Sequence, residues 1–185
     1  MVDLVLEEAT EKMAKAVGHA RAEFAGVRTG RAAPQLIEKL AVDVYGAEVP
    51  LQQVANISVP EARMLVVSPY DKTSMGSIEK AIRNSDLGLN PSSDGQVIRL
   101  NFPPLTAERR KDLVRLVKHM AEEGKVAVRN VRRAARHDLD QLEHDGDLSK
   151  DELQRAEKDL DKLTHAQEAE IESALQHKEQ ELLAD

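Results

Sequence analysis

The 185-residue sequence contains no cysteine and no tryptophan, and phenylalanine and tyrosine supply only two residues each. Without cysteine the chain can form neither a disulfide nor a thiolate metal site, which is typical of proteins from a reducing compartment. The sequence also lacks a run of roughly 20 apolar residues that could cross a membrane. Its first residues, MVDLVLEEATEKM, have neither the basic start nor the apolar run of a signal peptide. These absences predict a soluble, cytoplasmic protein.

Motifs for catalysis and metal binding are missing as well. Gly26 and Gly30 are not followed by Gly-Lys-Ser/Thr, so the chain has no phosphate-binding loop. Residues 141–152 resemble a calcium loop only in their second half, because a glutamine stands at the first ligand position. His137 and His144 share a helix face, but solvated histidines are the simpler interpretation. We predict no enzymatic activity, no cofactor and no bound metal.

The few aromatic residues are scattered through apolar patterns; they are Phe24, Tyr45, Tyr70 and Phe102. They form no platform on which unpaired bases could stack, which argues against binding of single-stranded RNA. Any RNA partner would be a folded one, contacted through its backbone and shape.

The formal net charge of −7 hides a segregation of charge along the chain. Residues 106–136 contain ten Lys/Arg against four Asp/Glu, so the acidic excess lies in the rest of the sequence. A local basic surface on an acidic protein favours an oriented contact with phosphates over indiscriminate coating.

Residues 106–143 have the apolar period of one long helix. At about 100° per residue, the apolar residues on one face are Leu113, Val117, Met120, Gly124, Val128, Val131, Ala135 and Leu142. Six cations occupy a neighbouring stripe, called here the cationic row: Lys111, Lys118, Lys125, Arg129, Arg132 and Arg136. Only Glu122 interrupts the row. We expect the apolar face to be buried and the cationic row to remain in solvent.

Two further amphipathic helices are predicted on either side. Residues 3–29 form the first, which ends with Gly30 in the C′ position because Pro34 cannot continue a helix. Ser149 and Glu152 form a capping box that begins the third helix.

The intervening residues 35–104 have a different pattern of apolar residues. Their apolar residues are largely β-branched and alternate in short runs separated by Gly, Pro and Asn-Pro turns. One short helix is predicted over residues 73–84, and strands over residues 40–45, 54–59, 64–68 and 97–102.

The predicted fold class is therefore α+β. An elongated antiparallel three-helix bundle, residues 1–29 and 106–185, carries a small inserted α/β, mainly β, domain, residues 30–105. Two short linkers join them, one with Gly30 and the other with Pro103 and Pro104. We predict that these three residues act as a hinge about which the domains reorient.

Six stretches of the sequence carry a family likeness: RTGRA (28–32), YG (45–46), KAIRNSDLGLNP (80–91), PLTAERRKDL (104–113), VAVRNVRR (126–133) and KEQEL (178–182). They resemble the signature stretches of the bacterial ribosome recycling factor family, also called ribosome-releasing factor. The likeness runs from the first helix to the last with the same spacing, so it covers the whole chain.

The resemblance implies an L-shaped protein that binds the post-termination ribosome and, with elongation factor G and GTP, splits it into subunits and frees the mRNA. It implies that the bundle contacts large-subunit ribosomal RNA and that the inserted domain moves against the GTPase. We expect a monomer that binds no membrane. The predicted RNA-binding residues are Arg28, Gly30, Arg31, Arg110, Lys125, Arg129, Arg132, Arg133 and Arg136.

The residues alone leave two other interpretations open. Charged stripes on helices are usually only solvated, so the cationic row by itself does not require a ligand. A helical scaffold that binds a protein partner through unused apolar surface is the alternative function, and it predicts exposed apolar residues and binding that is insensitive to salt.

The RNA hypothesis predicts a salt dependence. If about five phosphates are neutralised, a plot of log affinity for ribosomal RNA against log salt concentration has a slope of roughly −4. Titration of large ribosomal subunits with the protein at several potassium chloride concentrations measures the slope. A flat dependence would exclude phosphate contacts as the main source of affinity.

Overall fold

A computed structural model describes residues 1–184. In chain order the elements are α1 (Val2–Gly26), β1 (Ala41–Val44), β2 (Ala47–Pro50), α2 (Leu51–Val54), β3 (Ala55–Glu61), β4 (Met64–Pro69), α3 (Met75–Arg83), β5 (Pro91–Ser93), β6 (Ile98–Asn101), α4 (Ala107–His144) and α5 (Lys150–Leu183). Two short 3-10 helices, Pro34–Leu36 and Lys72–Ser74, precede β1 and α3. The chain divides into two compact units. One contains Met1–Arg28 and the chain from Thr106 onward, and the other is Thr29–Leu105.

The first unit is a bundle of α1, α4 and α5. The Arg21 guanidinium of α1 pairs with the Glu170 carboxylate of α5, and Phe24 lines the same groove as Ala174 and His177. Residue numbers thus increase together along α1 and α5, so these two helices are parallel. Helix α4 runs antiparallel to both. Together with the strands of the second unit, the bundle confirms the α+β fold predicted from the sequence, a helical bundle with a β domain.

The long helices begin where the sequence predicts. The Thr106 hydroxyl oxygen accepts a hydrogen bond from the Arg109 amide at 3.1 Å, which caps α4. Ser149 and Glu152 form both bonds of the capping box at the start of α5. The hydrogen bonds from the Ser149 hydroxyl and amide lower the pKa of the Glu152 carboxyl, which favours its charged form beside the positive end of the helix.

The end of α1 differs from the prediction. The helix ends at Gly26 rather than at residue 29, because Val27 is extended, with φ −81° and ψ 118°, and its side chain is buried. Gly30 therefore is not the C′ residue of α1. It does have a left-handed backbone, with φ +77°, a conformation that glycine adopts without steric cost.

The core of the bundle is built from the apolar faces of all three helices. On α4, Ala121 and Leu139 are buried although they are not in the predicted set. On α5 the buried residues include Leu175 and Thr164. The Thr164 hydroxyl donates to the Leu160 carbonyl at 2.8 Å, so this polar group is satisfied inside the core.

The three helices pack closely around Gly124. A Cβ added at this residue would lie 3.0 Å from Ala20 Cβ of α1 and 3.2 Å from Ile171 Cδ1 of α5. Real Cβ atoms do not tolerate contacts this short without movement of their neighbours. Gly124 is therefore the position at which α4 fits between its two partners.

The second unit contains a four-stranded antiparallel sheet in the order β3-β4-β6-β5 and a separate hairpin of β1 and β2. Helix α3 buries Ile78 and Ile82 in a core formed with the strands. The sequence predicted β1, β3, β4, β6 and α3. It missed β2 and β5, each of which consists of four residues or fewer and includes a proline, a poor signal for a strand.

The β1–β2 turn contains Tyr45 and Gly46, both with positive φ, 52° and 82° respectively. This pairing is typical of a tight hairpin turn, although tyrosine is an unusual residue at its first position. Tyr45 and Tyr70 are 87% and 70% exposed, whereas the sequence placed all the aromatic residues within apolar patterns.

The close approach at Gly124 predicts contrasting effects of two alanine substitutions on stability. Gly18 lies in α1 with open space around it, so Gly18→Ala should raise the free energy of unfolding by about 0.5–1 kcal/mol through helix propensity. Gly124→Ala should lose this gain, because its Cβ would press on Ala20 and Ile171. Urea unfolding followed by circular dichroism measures both variants, and equal stabilisation by the two would contradict the packing described here.

Candidate nucleic-acid interface

The cationic row lies along the seam between α4 and α5, and carboxylates of α5 face it. Five of its six members form ion pairs with what we call the acidic row: Glu157, Asp161, Glu168, Glu172 and Glu179. From one end of the seam to the other, the pairs are Lys118–Glu179 at 3.4 Å, Lys125–Glu172 at 2.5 Å, Arg129–Glu168 at 2.5 Å, Arg132–Asp161 at 3.8 Å and Arg136–Glu157 at 2.8 Å. Along the seam the residue numbers of the cations rise on α4 while those of the carboxylates fall on α5, as antiparallel packing requires.

The spacing of residues on each helix accounts for this pairing. The members of the acidic row are separated alternately by four and seven residues, a spacing that keeps them on one face of α5. The cationic row borders the apolar face of α4. Because long cationic side chains extend along apolar surface and place their charge at its edge, the cations reach across the seam to the carboxylates.

The expectation that the cationic row remains in solvent is corrected by these contacts. The Lys125 side chain is only 20% exposed, and those of Arg129 and Arg132 are 38% and 39% exposed. Lys118 and Arg136 are exposed to about 60%. The folded bundle thus brings together the opposite charges that are segregated along the sequence. The cationic row is partly exposed, and five of its six members are paired.

Arg129 is the most tightly held member of the cationic row. Its Nε–H donates to Glu168 Oε1 at 2.5 Å and its Nη1–H donates to Glu122 Oε1 at 3.0 Å. The hydrogen bonds to Glu168 and Glu122 raise the pKa of the guanidinium above its ordinary value. Within residues 1–184 its Nη2 group donates no hydrogen bond, so of the guanidinium donors the two N–H groups of Nη2 remain available to an anion.

Arg133 and Lys111 differ from the paired cations. Both are exposed on α4, and no carboxylate of the described chain lies within 4.0 Å of either side chain. Arg133 directly follows Arg132 in the sequence and lies one helical turn after Arg129, to one side of the row. Of the predicted RNA-binding residues on this half of α4, Arg133 is the one whose charge no neighbour in residues 1–184 offsets.

Arg110 ties the beginning of α4 to the end of α5. Its Nη1 donates to the Leu182 carbonyl at 3.5 Å and to the Ala184 carbonyl at 3.2 Å. A cation at this position also offsets the negative end of the α5 dipole. The residue is half-buried, so its described contacts stabilise the end of the bundle.

Arg28 follows α1 and is exposed. Since Ala20 faces Gly124 and the two helices are antiparallel, the end of α1 lies beside the first third of α4. Arg28 therefore belongs to the same end of the bundle as Arg110, and the stretch 129–136 lies toward the other end. Arg28 therefore does not extend the arginine-rich stretch 129–136.

Gly30 and Arg31 lie in the second unit, as do Pro103 and Pro104. Gly30 packs against Leu105, whose Cγ would lie 3.1 Å from a Cβ added at this glycine. Pro103 and Pro104 are exposed. The hinge assigned to these residues remains a prediction.

The acidic row is the feature of the candidate site that sequence reasoning missed. Its alternating separation of four and seven residues was readable in the sequence, but the register that sets it against the cationic row depends on how α4 and α5 pack. Within residues 1–184, no group of three or more His, Asp or Glu side chains is placed to hold a metal ion. No helix in the same part of the chain has the length and apolar character of a membrane span.

The fold and the seam define a class: an α+β protein with a three-helix bundle, whose helix α4 carries the cationic row, and a sheet unit inserted in the sequence between α1 and α4. The ribosome recycling factor family model matches residues 20–183. The chain belongs to the ribosome recycling factor family.

Curated relatives are similar over their whole length. The ribosome-recycling factor of Acidothermus cellulolyticus is 54% identical over 183 residues, covering 99% of each chain. That of Bacillus subtilis is 54% identical over 179 residues, covering 97% of each. A solution structure of a ribosome recycling factor covers 98% of this chain and 97% of its own, with a TM-score of 0.78 and 43% identity. A second structure, described as models for the T. thermophilus ribosome recycling factor and the E. coli elongation factor G bound to the E. coli post-termination complex, has a TM-score of 0.65 and 46% identity over both chains in full.

The contacts of Arg129 predict a nuclear magnetic resonance signature. Because its Nε–H donates to Glu168 at 2.5 Å, this proton should exchange with solvent more slowly than the Nε–H of exposed Arg133. Glu168→Ala should accelerate exchange at Arg129 and leave Arg133 unchanged. Selective observation of arginine Nε–H groups in the free protein makes the comparison, and equal exchange at the two residues would show that the seam is not formed in solution.

Proposed function

We propose that this chain acts as a ribosome recycling factor: it binds the post-termination ribosome and, with elongation factor G and GTP, separates the subunits and releases the mRNA for another round of translation. The observation that carries the proposal is the likeness over the full chain to curated ribosome-recycling factors. The description of one similar structure, in which such a factor and elongation factor G are bound to a post-termination complex, supports the partners.

The proposed RNA contact is made by the bundle. The stretch from Arg129 to Arg136 offers four arginines within about 10 Å of helix length at 1.5 Å per residue, and Arg133 is exposed and unpaired within the described chain. Guanidinium groups suit phosphate oxygens. Such a surface recognises the position of backbone phosphates and the shape of a folded RNA, without reading bases.

In this proposal the chain performs no catalysis of its own. Its sequence has no phosphate-binding loop, so GTP is hydrolysed by the elongation factor. The second unit, Thr29–Leu105, receives the force, and Gly30, Pro103 and Pro104 allow it to move relative to the bundle. The monomeric state implied by the family likeness belongs to the same proposal, as does action on ribosomes in the bacterial cytoplasm.

The scaffold alternative has less support. It needs a continuous apolar surface on the bundle, but the large apolar side chains exposed on the three helices are scattered. Leu4 lies at the start of α1 and Leu183 at the end of the parallel helix α5, 60% and 64% exposed. Leu116 and Val126 on α4 are 42% and 41% exposed and are separated by about 15 Å of helix at 1.5 Å per residue. Isolated exposed apolar residues of this kind are ordinary on protein surfaces.

The direct test is disassembly of purified post-termination complexes. The full chain, added with elongation factor G and GTP, should convert them to free subunits and released mRNA, as detected by light scattering and filter binding. Omission of GTP or of the elongation factor should abolish the conversion. Complexes that remain intact with all three components present would refute the proposal.

One substitution tests the RNA-contacting face. Arg132→Glu reverses a charge that is 39% exposed and lies 3.8 Å from Asp161 Oδ1, so it should weaken binding to large subunits at least tenfold while the bundle stays folded. Lys162→Glu, at an exposed cation of α5 paired only with Asp159 in the described chain, is the matched charge reversal and should retain binding. Pelleting with subunits measures affinity, and circular dichroism checks the fold; full-strength pelleting of Arg132→Glu would refute the assignment of this face.

A further inference from the structure

The cationic row and the carboxylates around it carry equal and opposite formal charge. The row has six cations, the acidic row supplies five carboxylates, and Glu122 of α4 supplies a sixth. Exposed charges are screened beyond a Debye length of about 8 Å at physiological salt. Because the charges of the cationic row and of these carboxylates cancel, an RNA at that distance encounters almost no net charge from them, although the sequence of α4 suggests a strongly basic surface.

The pairing also withdraws individual cations from solvent. Lys125 Nζ lies 2.5 Å from Glu172 Oε2 and its side chain is mostly buried. Arg129 is bonded to Glu168 and to Glu122 through two different nitrogens. A phosphate that approaches either cation must share it with a carboxylate that is already in place.

We propose that the acidic row is a specificity-determining element of the RNA-contacting surface. It suppresses binding to RNA in general and restricts binding to a folded RNA that packs closely against α4. This inference rests on the proposed function for the identity of the favoured target, large-subunit ribosomal RNA.

The physical reason is that a non-specific RNA complex and a complex of fixed shape depend differently on cations that are not paired with a carboxylate. Non-specific affinity comes essentially from phosphates that neutralise cations and release counterions. A generic duplex can shift its register until every available cation meets a phosphate, so each cation released from a carboxylate adds to its affinity. In a complex of fixed shape the phosphates have fixed positions, and a released cation contributes only where a phosphate already faces it.

The test removes two charges of the acidic row without shortening the side chains. The test variant is Glu168→Gln/Glu172→Gln, which removes the carboxylate partner of Lys125 and one of the two carboxylate partners of Arg129. The matched control is Asp159→Asn/Glu170→Gln, which removes two paired carboxylates of the same helix, partners of Lys162 and Arg21 outside the seam. The two variants have the same net charge. Affinities of the full-length proteins for a generic RNA duplex and for large ribosomal subunits are measured by fluorescence anisotropy over a range of salt concentrations.

The test variant should bind the generic duplex roughly fivefold more tightly than the unmodified chain. Its plot of log affinity against log salt concentration should be steeper by an amount that corresponds to about one to two additional phosphate contacts. The control variant should change by less than twofold. Affinity of the test variant for large subunits should rise by a smaller factor than its affinity for the duplex, so that its selectivity falls.

Three results would overturn the inference: equal effects of the test and control variants on duplex binding, no effect of the test variant, or an equal gain on duplex and subunit. If Glu168→Gln/Glu172→Gln does not fold, Glu157→Gln/Asp161→Asn at the other end of the acidic row replaces it, with the same expected results. Failure of the unmodified chain to bind subunits would refute the proposed function, whereas the comparison of test and control variants on the duplex would still decide whether the row suppresses RNA binding.

Discussion

The packing of α4 between α1 and α5 is the constraint on which the rest of the bundle depends. Gly124 permits an approach at which even one additional carbon would contact Ala20 and Ile171 within 3.2 Å. This contact, together with the buried residues of the same face, turns that face of α4 toward both helices. Because the cationic row borders the buried face, the same orientation directs the row toward α5, where the acidic row meets it. Core packing and surface electrostatics are thus set by a single helix orientation.

The helical parts of the fold were predictable because their signals are local. The hydroxyl of Thr106 and the capping box of Ser149 mark helix starts through bonds within one turn, and apolar residues at helical spacing identify the buried faces. The strands β2 and β5 were missed because their pairing partners, rather than their own residues, determine them. The early end of α1 was not predictable from local spacing, because Val27 is buried as a further helical residue would be, although its backbone is extended.

The candidate site was only partly predictable for a related reason. The sequence identifies the cationic row as one stripe of a helix, which is a local property. Whether that stripe faces solvent depends on which residues of α5, some forty positions away, pack beside it. Net charge along the sequence therefore misrepresents the charge that a ligand encounters. The same packing places Arg28 near the start of α4, and it leaves Arg133 exposed beyond the paired seam.

The central claim is that the α4 side of the bundle lies against ribosomal RNA, and the absence of cysteine allows it to be tested by directed cleavage. An iron chelate that generates hydroxyl radicals would be attached at Val126→Cys, an exposed position beside Lys125 and Arg129, and at Ala22→Cys, exposed on the outer face of α1. With the protein bound to post-termination ribosomes, cleavage of large-subunit ribosomal RNA should be strong from residue 126 and weak from residue 22. Equal cleavage from both positions, or stronger cleavage from residue 22, would contradict the account.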